Sequence, residues 1–156
     1  MTTPDPSKWT LPRVRIGRDG EWFHEDEEVT HPGVLADLRD RLRADEQGHF
    51  LEAGPVRVPV EVDGAPFAIV RVEPDGDRLM LTLNDLTREA LRPDTLRFAA
   101  DGAPYCRVKD GRFEARASRA AAYQLLQYVE VDERRGRATL VVGGARHPLP
   151  APPPGT

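Results

Sequence analysis

The segment Asp19–Phe23 reads Asp-Gly-Glu-Trp-Phe, and a related segment, Asp110–Phe113, reads Asp-Gly-Arg-Phe. Each Asp-Gly pair predicts a tight turn, because glycine readily adopts the positive φ that such turns require. A short stretch that carries arginine precedes each turn, and an aromatic residue follows it on the returning stretch. Both segments therefore predict a β-hairpin.

The chain continues in the same order after each predicted hairpin. A predicted helix is followed by an Asp-Glu pair, which begins at Asp45 in the first half and at Asp132 in the second, and then by a further strand. In addition, Asp63–Phe67 reads Asp-Gly-Ala-Pro-Phe, and Asp101–Tyr105 reads Asp-Gly-Ala-Pro-Tyr. A single Asp-Gly turn is common, but a shared order of several motifs indicates an internal duplication.

Duplication predicts an α+β fold built from antiparallel hairpin–helix–strand units. In this alignment residues 13–62 are equivalent to residues 104–149, and Trp22 and Phe113 take equivalent, buried positions on the returning strands. A seam between two such units is a favoured place for a ligand.

The chain is predicted to contain two domains. The first is an N-terminal α+β repeat over residues 10–62, and the second is a C-terminal repeat with extra strands over residues 63–150. The proline-rich residues 151–156 and the polar residues 1–9 are predicted to be flexible tails.

Local patterns predict two helices and one long strand. The first helix begins at Pro32 and ends near Ala44, and its apolar stripe comprises Leu35, Leu38 and Leu42. The second helix is capped by Ser118, and its apolar face comprises Ala122, Leu125, Leu126 and Val129. Alternating valines over residues 56–62 predict a half-buried strand, and Pro59 places that strand at a sheet edge because proline has no N–H to donate.

The composition is that of a globular protein. Hydrophobic residues make up 39% of the 156-residue chain and charged residues 31%, which is enough for a buried core. The net charge of −4 argues against DNA as a partner. No apolar run approaches the roughly 20 residues needed to span a membrane. The one cysteine, Cys106, has no partner for an internal disulfide, which favours a reducing cytoplasm.

The charge is unevenly distributed along the chain. Residues 1–100 carry 13 basic and 20 acidic side chains, whereas residues 101–156 carry 9 basic and 6 acidic ones. The positive excess in the C-terminal part favours a local anion site, or attraction between the two parts. The acidic run Glu25–Glu28 is interpreted as a solvated loop.

Four groups of residues, taken in order, resemble the motifs of a known family. They are Asp19–Phe23; Gly48–Val62 with Ala65–Phe67; Pro104–Val108 with Glu114, Ala115, Arg119, Tyr123 and Leu125; and Gly143–Gly144 with Leu149. Their order resembles domain-of-unknown-function family 1285, a bacterial family without an established activity. The resemblance implies a duplicated α+β core and a second half loosely similar to pleckstrin-homology folds. It also implies a nucleotide-like ligand between the halves and a role in signalling.

Six residues are candidates for binding an anionic or nucleotide-like ligand: Arg119, Arg107, Arg116, Tyr105, Tyr123 and Asn84. The three arginines offer guanidinium groups to a phosphate, or else form salt bridges or a solvated face. The two tyrosines stack on a base, or else belong to the core. The asparagine contacts the edge of a base, or else caps a turn. We expect Arg119 to face the other repeat, away from open solvent.

No catalytic group, cofactor or metal site is predicted. The four histidines do not fall at the spacing of metal ligands, and no Gly-x-Ser-x-Gly motif is present. Arg107 beside Cys106 favours a lowered thiol pKa, although a lone strand cysteine is more typically a small buried hydrophobe. We therefore predict non-catalytic, regulatory binding of a small anionic ligand. The alternatives are a protein–protein adaptor and, more weakly, a nucleotide-processing hydrolase.

Overall fold

The computed structural model describes residues 11–150, and the predicted tails at 1–9 and 151–156 lie outside the described residues. The described chain divides into two compact units. One consists of residues 11–17 and 21–63, and the other of residues 18–20 and 64–150. No helix in residues 11–150 is long and apolar enough to cross a membrane.

The first unit is a six-stranded sheet with one helix. Its elements are β1 (Val14–Ile16), β2 (Trp22–His24), β3 (Glu27–Val29), α1 (Pro32–Arg41), β4 (Leu42–Asp45), β5 (Gly48–Ala53) and β6 (Val56–Val62). The strands lie in the order β3-β2-β1-β6-β5-β4. All neighbours are antiparallel except β1 and β6, which are parallel. The strands that come first and last along the chain in this unit, β1 and β6, are therefore hydrogen-bonded to each other at the centre of the sheet.

The second unit begins with another six-stranded sheet. Its elements are β7 (Phe67–Asp75), β8 (Arg78–Leu83), β9 (Arg88–Ala90), a 3₁₀ turn (Pro93–Thr95), β10 (Arg97–Phe98), β11 (Pro104–Val108) and β12 (Phe113–Ala117). The strands lie in the order β9-β8-β7-β12-β11-β10, and β7 and β12 are the parallel pair. Helix α2 (Arg119–Leu126) follows, and then an antiparallel sheet of β13 (Val129–Asp132), β14 (Arg137–Val142) and β15 (Ala145–Pro148).

The two six-stranded sheets have the same topology, so the predicted duplicated α+β core is confirmed. The predicted alignment of the repeats is wrong. Strands β1–β6 correspond in order to β7–β12, so residues 14–62 correspond to residues 67–117, and not 13–62 to 104–149. The two Asp-Gly hairpins are not equivalent, which explains the error. The β1–β2 hairpin contains the first two strands of its sheet along the chain, whereas the β11–β12 hairpin contains the last two.

The aromatic residues after these two turns are both buried. Trp22 on β2 is 1% exposed and Phe113 on β12 is 5% exposed, which confirms their predicted burial. Their predicted equivalence is wrong, because β2 corresponds to β8 and β12 corresponds to β6. Phe113 lies beside Phe67 of the parallel neighbour β7, and their ring centroids are 5.5 Å apart.

Helix α1 begins at the predicted Pro32, and its N-terminal N–H groups are capped by a histidine. The backbone N–H groups of Gly33 and Val34 donate to Nδ1 of His31, at 3.1 and 3.3 Å. The helix ends at Arg41, earlier than the predicted Ala44, because the chain turns into β4 and buries Leu42 there.

Two predictions for the first sheet need correction. Strand β6 matches the predicted residues 56–62, but it lies inside the sheet between β1 and β5. Pro59 is tolerated because the pairing with β1 begins only at the next residue, Val60. The acidic run Glu25–Glu28 is not wholly a loop, since Glu27 and Glu28 belong to β3, although both are solvated as expected.

Helix α2 has the predicted cap but a different buried face. The Ser118 hydroxyl accepts from the N–H of Ala121 at 3.1 Å, which confirms the cap. Ala121 and Leu125 are buried, whereas Leu126, expected on the apolar face, is 42% exposed. The helix packs on β7, where the Gln124 side chain accepts from the N–H of Val72 at 2.8 Å. This contact turns Gln124 toward the sheet and Leu126 away from it.

Candidate functional site

A cavity of about 440 Å³ lies within the second unit. Its lining comes from the β1–β2 turn, the β10–β11 turn, the end of β12 and the start of α2: Arg18, Asp19, Asp101, Gly102, Ala103, Arg116, Ala117, Arg119 and Ala122. We call it the arginine pocket, because three of these nine residues are arginines. Two of the six candidates from the sequence, Arg116 and Arg119, lie in it.

Arg116 is the most enclosed cation of the arginine pocket. Its side chain is 14% exposed, and its guanidinium lies 3.6 Å from the Asp101 carboxylate. Its Nε is buried and has no hydrogen-bond partner among the described residues. Gly64, at φ +94°, leaves room for the arginine stem, since a Cβ there would lie 3.4 Å from Cδ of Arg116. The Arg116 guanidinium is thus held in place by packing, and part of its hydrogen-bonding capacity is unused by the described residues.

Asp101 provides the negative charge that two of the arginines share. The guanidinium of Arg18 donates to its carboxylate at 2.7 Å, and the N–H of Ala103 donates to it at 3.0 Å. The Ala103 N–H, together with Arg116 and Arg18, lowers the pKa of Asp101 from its ordinary value. The carboxylate therefore stays ionised and pre-positions both guanidinium groups beside the cavity.

Arg119 contributes the least constrained cation. It is the first residue of α2 and its side chain is exposed, so the expectation that it avoids open solvent is wrong. Within residues 11–150 it has no ion-pair partner; Glu114, the nearest acid along the chain, instead accepts from Arg97 at 2.8 Å. A side chain at the first helical position projects from the helix end, which explains its exposure.

The other four candidates lie outside the pocket lining. Tyr105 is 8% exposed, and the Arg97 guanidinium lies 4.3 Å from its ring centroid, so the ring belongs to the core. Arg107 is exposed on β11, opposite Glu114 in the strand register. Tyr123 is 70% exposed, one turn after the helix start, and is not a core residue.

Asn84 fastens one backbone segment to another. Its Oδ1 accepts from the N–H of Ala68 at 3.1 Å, and its Nδ2 donates to the carbonyl of Gly20 at 3.1 Å. Both ends of the amide are therefore engaged by backbone. The turn interpretation from the sequence is closer to this role than base recognition is.

Sequence reasoning missed Arg18 and Asp101. Each lies next to a motif that was used for the repeat, Arg18 immediately before the first Asp-Gly turn and Asp101 as the acid of another. Their separation of 83 residues along the chain explains the omission, because local patterns do not report long-range contacts. An arginine immediately before a predicted Asp-Gly turn is the available signal.

The structure also shows that the Cys106 thiol is not activated. The side chain is fully buried. Burial, with Glu89 and Glu114 nearby, raises the pKa of the Cys106 thiol to about 12. Arg107 therefore does not activate it, and the small-hydrophobe interpretation is correct. Residues 11–150 contain no group of three or more His, Cys, Asp or Glu side chains placed to hold a metal ion.

A second charged cluster, also missed by sequence reasoning, lies at the β11–β12 turn. Nζ of Lys109 donates to Asp85 at 2.6 Å and to the Thr87 hydroxyl at 2.8 Å. The side chains of Lys109 and Asp85 are only 19% and 13% exposed. Burial raises the pKa of Asp85, but hydrogen bonds from Lys109 and Thr87 outweigh it and hold that pKa below its ordinary value of 3.8. This cluster is internally satisfied.

A larger cavity, of about 670 Å³, lies on the third sheet. Its lining includes Arg146, which pairs with Glu130 at 3.1 Å, and Arg135, which lies 3.8 Å from Asp132. These two arginines are matched to acids on the same surface, and a third arginine, Arg137, also lines this cavity. The arginine pocket is the better candidate for an external anion because, of these two cavities, it holds the more enclosed guanidinium, that of Arg116, whose side chain is 14% exposed.

Two solved structures resemble this chain over most of its length. A DUF1285 family protein from Silicibacter pomeroyi DSS-3 is 27% identical, covers 97% of this chain and 90% of its own, and has a TM-score of 0.72. A DUF1285 family protein from Shewanella baltica OS155 is 19% identical, covers 74% of this chain and 91% of its own, and has a TM-score of 0.62. No protein-family profile and no curated protein matches the chain. The predicted resemblance is confirmed: over most of its length the chain resembles solved proteins of the DUF1285 family.

Proposed function

We propose that the arginine pocket binds a small anionic ligand, without catalysis, in a regulatory role in the cytoplasm. One observation carries the proposal: three guanidinium groups, from a turn, a strand end and a helix start, line one cavity that has only two carboxylates, Asp19 and Asp101. Arg119 forms no ion pair among the described residues. A bound anion would supply that missing charge.

Phosphate is the ligand group that this arrangement fits best. A guanidinium presents parallel N–H donors that match the oxygens of a phosphate or carboxylate. The cavity also adjoins the start of α2, where the N–H groups of the first turn favour negative charge. The guanidinium of Arg116 also lines the cavity, and its hydrogen-bonding capacity is not saturated by the described residues.

The lining supports binding over group transfer. It consists of arginine, aspartate, glycine and alanine, and it includes no hydroxyl, thiol or imidazole side chain. A nucleotide-like ligand and a signalling role are the finer expectations that the family resemblance adds. The similarity of the second half to pleckstrin-homology folds stays a prediction.

A thermal-shift titration tests the proposal. Inorganic phosphate, AMP and acetate are added to the full chain at constant ionic strength. A ligand at about 100 times its Kd adds about 2.7 kcal/mol of stability, which raises the Tm of a chain of this size by roughly 5–10 °C. We expect phosphate or AMP to produce such a shift, and acetate to produce a smaller one. A larger shift with AMP than with phosphate indicates a contribution from the nucleoside.

Arg119→Ala is the informative variant, because an exposed side chain without an ion pair is removable with little effect on folding. It should abolish the phosphate response. Arg107→Ala is the matched control, since Arg107 is also an exposed arginine of the second unit but does not line the pocket. Equal responses of the wild type and Arg119→Ala, or no response of the wild type to any of the three anions, would overturn the proposal.

A further inference from the structure

The outward face of α2 carries a row of three exposed side chains. Arg119, Tyr123 and Leu126 follow one another at spacings of four and three residues, which places them on one face of a helix. Tyr123 is 70% exposed and Leu126 is 42% exposed, whereas Ala121 and Leu125 on the opposite face are buried. We call these three side chains the α2 stripe.

The composition of the α2 stripe is unusual for a solvated helix face. A surface helix normally directs polar and charged side chains to water. Arg119 is the only charged residue of α2, and the helix contains no acid. Tyrosine and arginine are the residue types that contribute most to protein–protein binding, and an exposed leucine one turn away supplies apolar area. A single exposed apolar residue needs no explanation, but two adjacent ones beside an unpaired arginine do.

Charge at one end of the stripe indicates the kind of partner. Arg119 also lines the arginine pocket, whose three arginines outnumber its two aspartates, Asp19 and Asp101, and residues 101–156 carry 9 basic against 6 acidic side chains. A partner with a basic contact surface would be repelled there. A partner with an acidic side chain is attracted to the Arg119 end of the stripe. Apolar side chains next to that acid would then cover Tyr123 and Leu126.

We propose that the α2 stripe is the docking surface for a segment of a partner protein that carries an acidic side chain next to large apolar side chains. The acid contacts Arg119, and the apolar side chains cover Tyr123 and Leu126. This surface is separate from the small-anion function, because Tyr123 and Leu126 do not line the arginine pocket. The two sites share only Arg119.

A displayed library of short random peptides tests the proposal. The full chain is the bait, and counter-selection uses the double variant Tyr123→Ser/Leu126→Ser, which should fold because both side chains are exposed. We expect the enriched peptides to combine Asp or Glu with Leu, Phe or Trp within one helical turn. The absence of enriched peptides, or enrichment of basic ones, would refute the proposal.

Measurements with one synthetic enriched peptide complete the test. The double variant should weaken its binding by at least about tenfold, a change that fluorescence anisotropy resolves readily. Leu86→Ser is the matched control, because Leu86 is an 82% exposed leucine on the turn between β8 and β9, and binding should be unchanged. The Arg119→Gln variant should bind the acidic peptide more weakly than the wild type does. The loss should be smaller for a control peptide in which Asn or Gln replaces the acidic residue. If the double variant binds the enriched peptide as tightly as the wild type does, docking on the α2 stripe is refuted. A retained phosphate response of the double variant would show that the arginine pocket is intact.

Discussion

Replacing Lys109 by methionine should destabilise the protein through the charge that it leaves behind. Methionine retains much of the apolar stem near the Phe67 ring, from which Nζ lies 5.3 Å, but removes the cation that donates to Asp85 at 2.6 Å. Exposed pairs contribute about 0–1 kcal/mol, and breaking a fully buried pair costs about 3–5 kcal/mol. With side chains 19% and 13% exposed, this pair lies nearer the buried limit, and we expect a cost of roughly 2–3 kcal/mol.

Urea denaturation of the wild type, Lys109→Met, Asp85→Asn and the double variant measures the coupling between the two side chains. The Arg146–Glu130 pair is the control, because its atoms are 3.1 Å apart but both side chains are 62% exposed. Its coupling should stay under about 1 kcal/mol. An equally small coupling for Lys109 and Asp85 would refute the argument from burial.

The pH dependence of the same series follows from the lowered pKa of Asp85. A carboxyl whose folded pKa lies below its unfolded value stabilises the fold above that unfolded value, and the stabilisation is lost as pH falls through the folded pKa. The difference in stability between the wild type and Lys109→Met should therefore be full at neutral pH and shrink on acidification below the ordinary Asp value of 3.8. A difference that stays constant through this range would contradict the assignment.

Three further outcomes are expected. Trp22→Ala should cost about 3–5 kcal/mol in urea denaturation, because the side chain is 1% exposed, and an unchanged midpoint would show that it is a surface residue. Cys106 should resist a disulfide-exchange reagent in the folded protein and react once the chain is unfolded, because its pKa is raised to about 12; rapid labelling in native buffer would contradict its burial. With a net charge of −4, the chain should not retard duplex DNA at physiological salt, and strongly salt-dependent retardation would be the opposing result.

Short-range features of the fold were predictable because their causes are local. The alternating valines of residues 56–62 gave the bounds of β6, and Pro32 and Ser118 marked the two helix starts. The alignment of the repeats was not predictable in this way. An Asp-Gly turn looks the same whether its hairpin opens a sheet or closes one, and only strand pairing distinguishes the two cases.

The candidate site was predictable in part for a related reason. Arg116 and Arg119 were recognised because they lie near a predicted helix start, whereas Arg18 and Asp101 meet only through folding. The outward face of α2 was missed because a short helix has few apolar residues to define its orientation. The Gln124 contact to β7 decides that orientation, and a polar side chain carries no weight in a count of apolar residues.

The parallel pairing of first and last strands has a consequence for synthesis on the ribosome. Val14 of β1 pairs with Val60 of β6, so the opening strand has no partner on that side until the whole repeat has been translated. The same delay recurs in the second sheet, where Phe67 of β7 cannot pair until Ala115 of β12 has been synthesised. At about 5–20 residues per second, each opening strand spends several seconds with one edge uncovered. A nascent chain of this protein therefore passes through two periods of exposure to chaperones or to mispairing, one for each repeat.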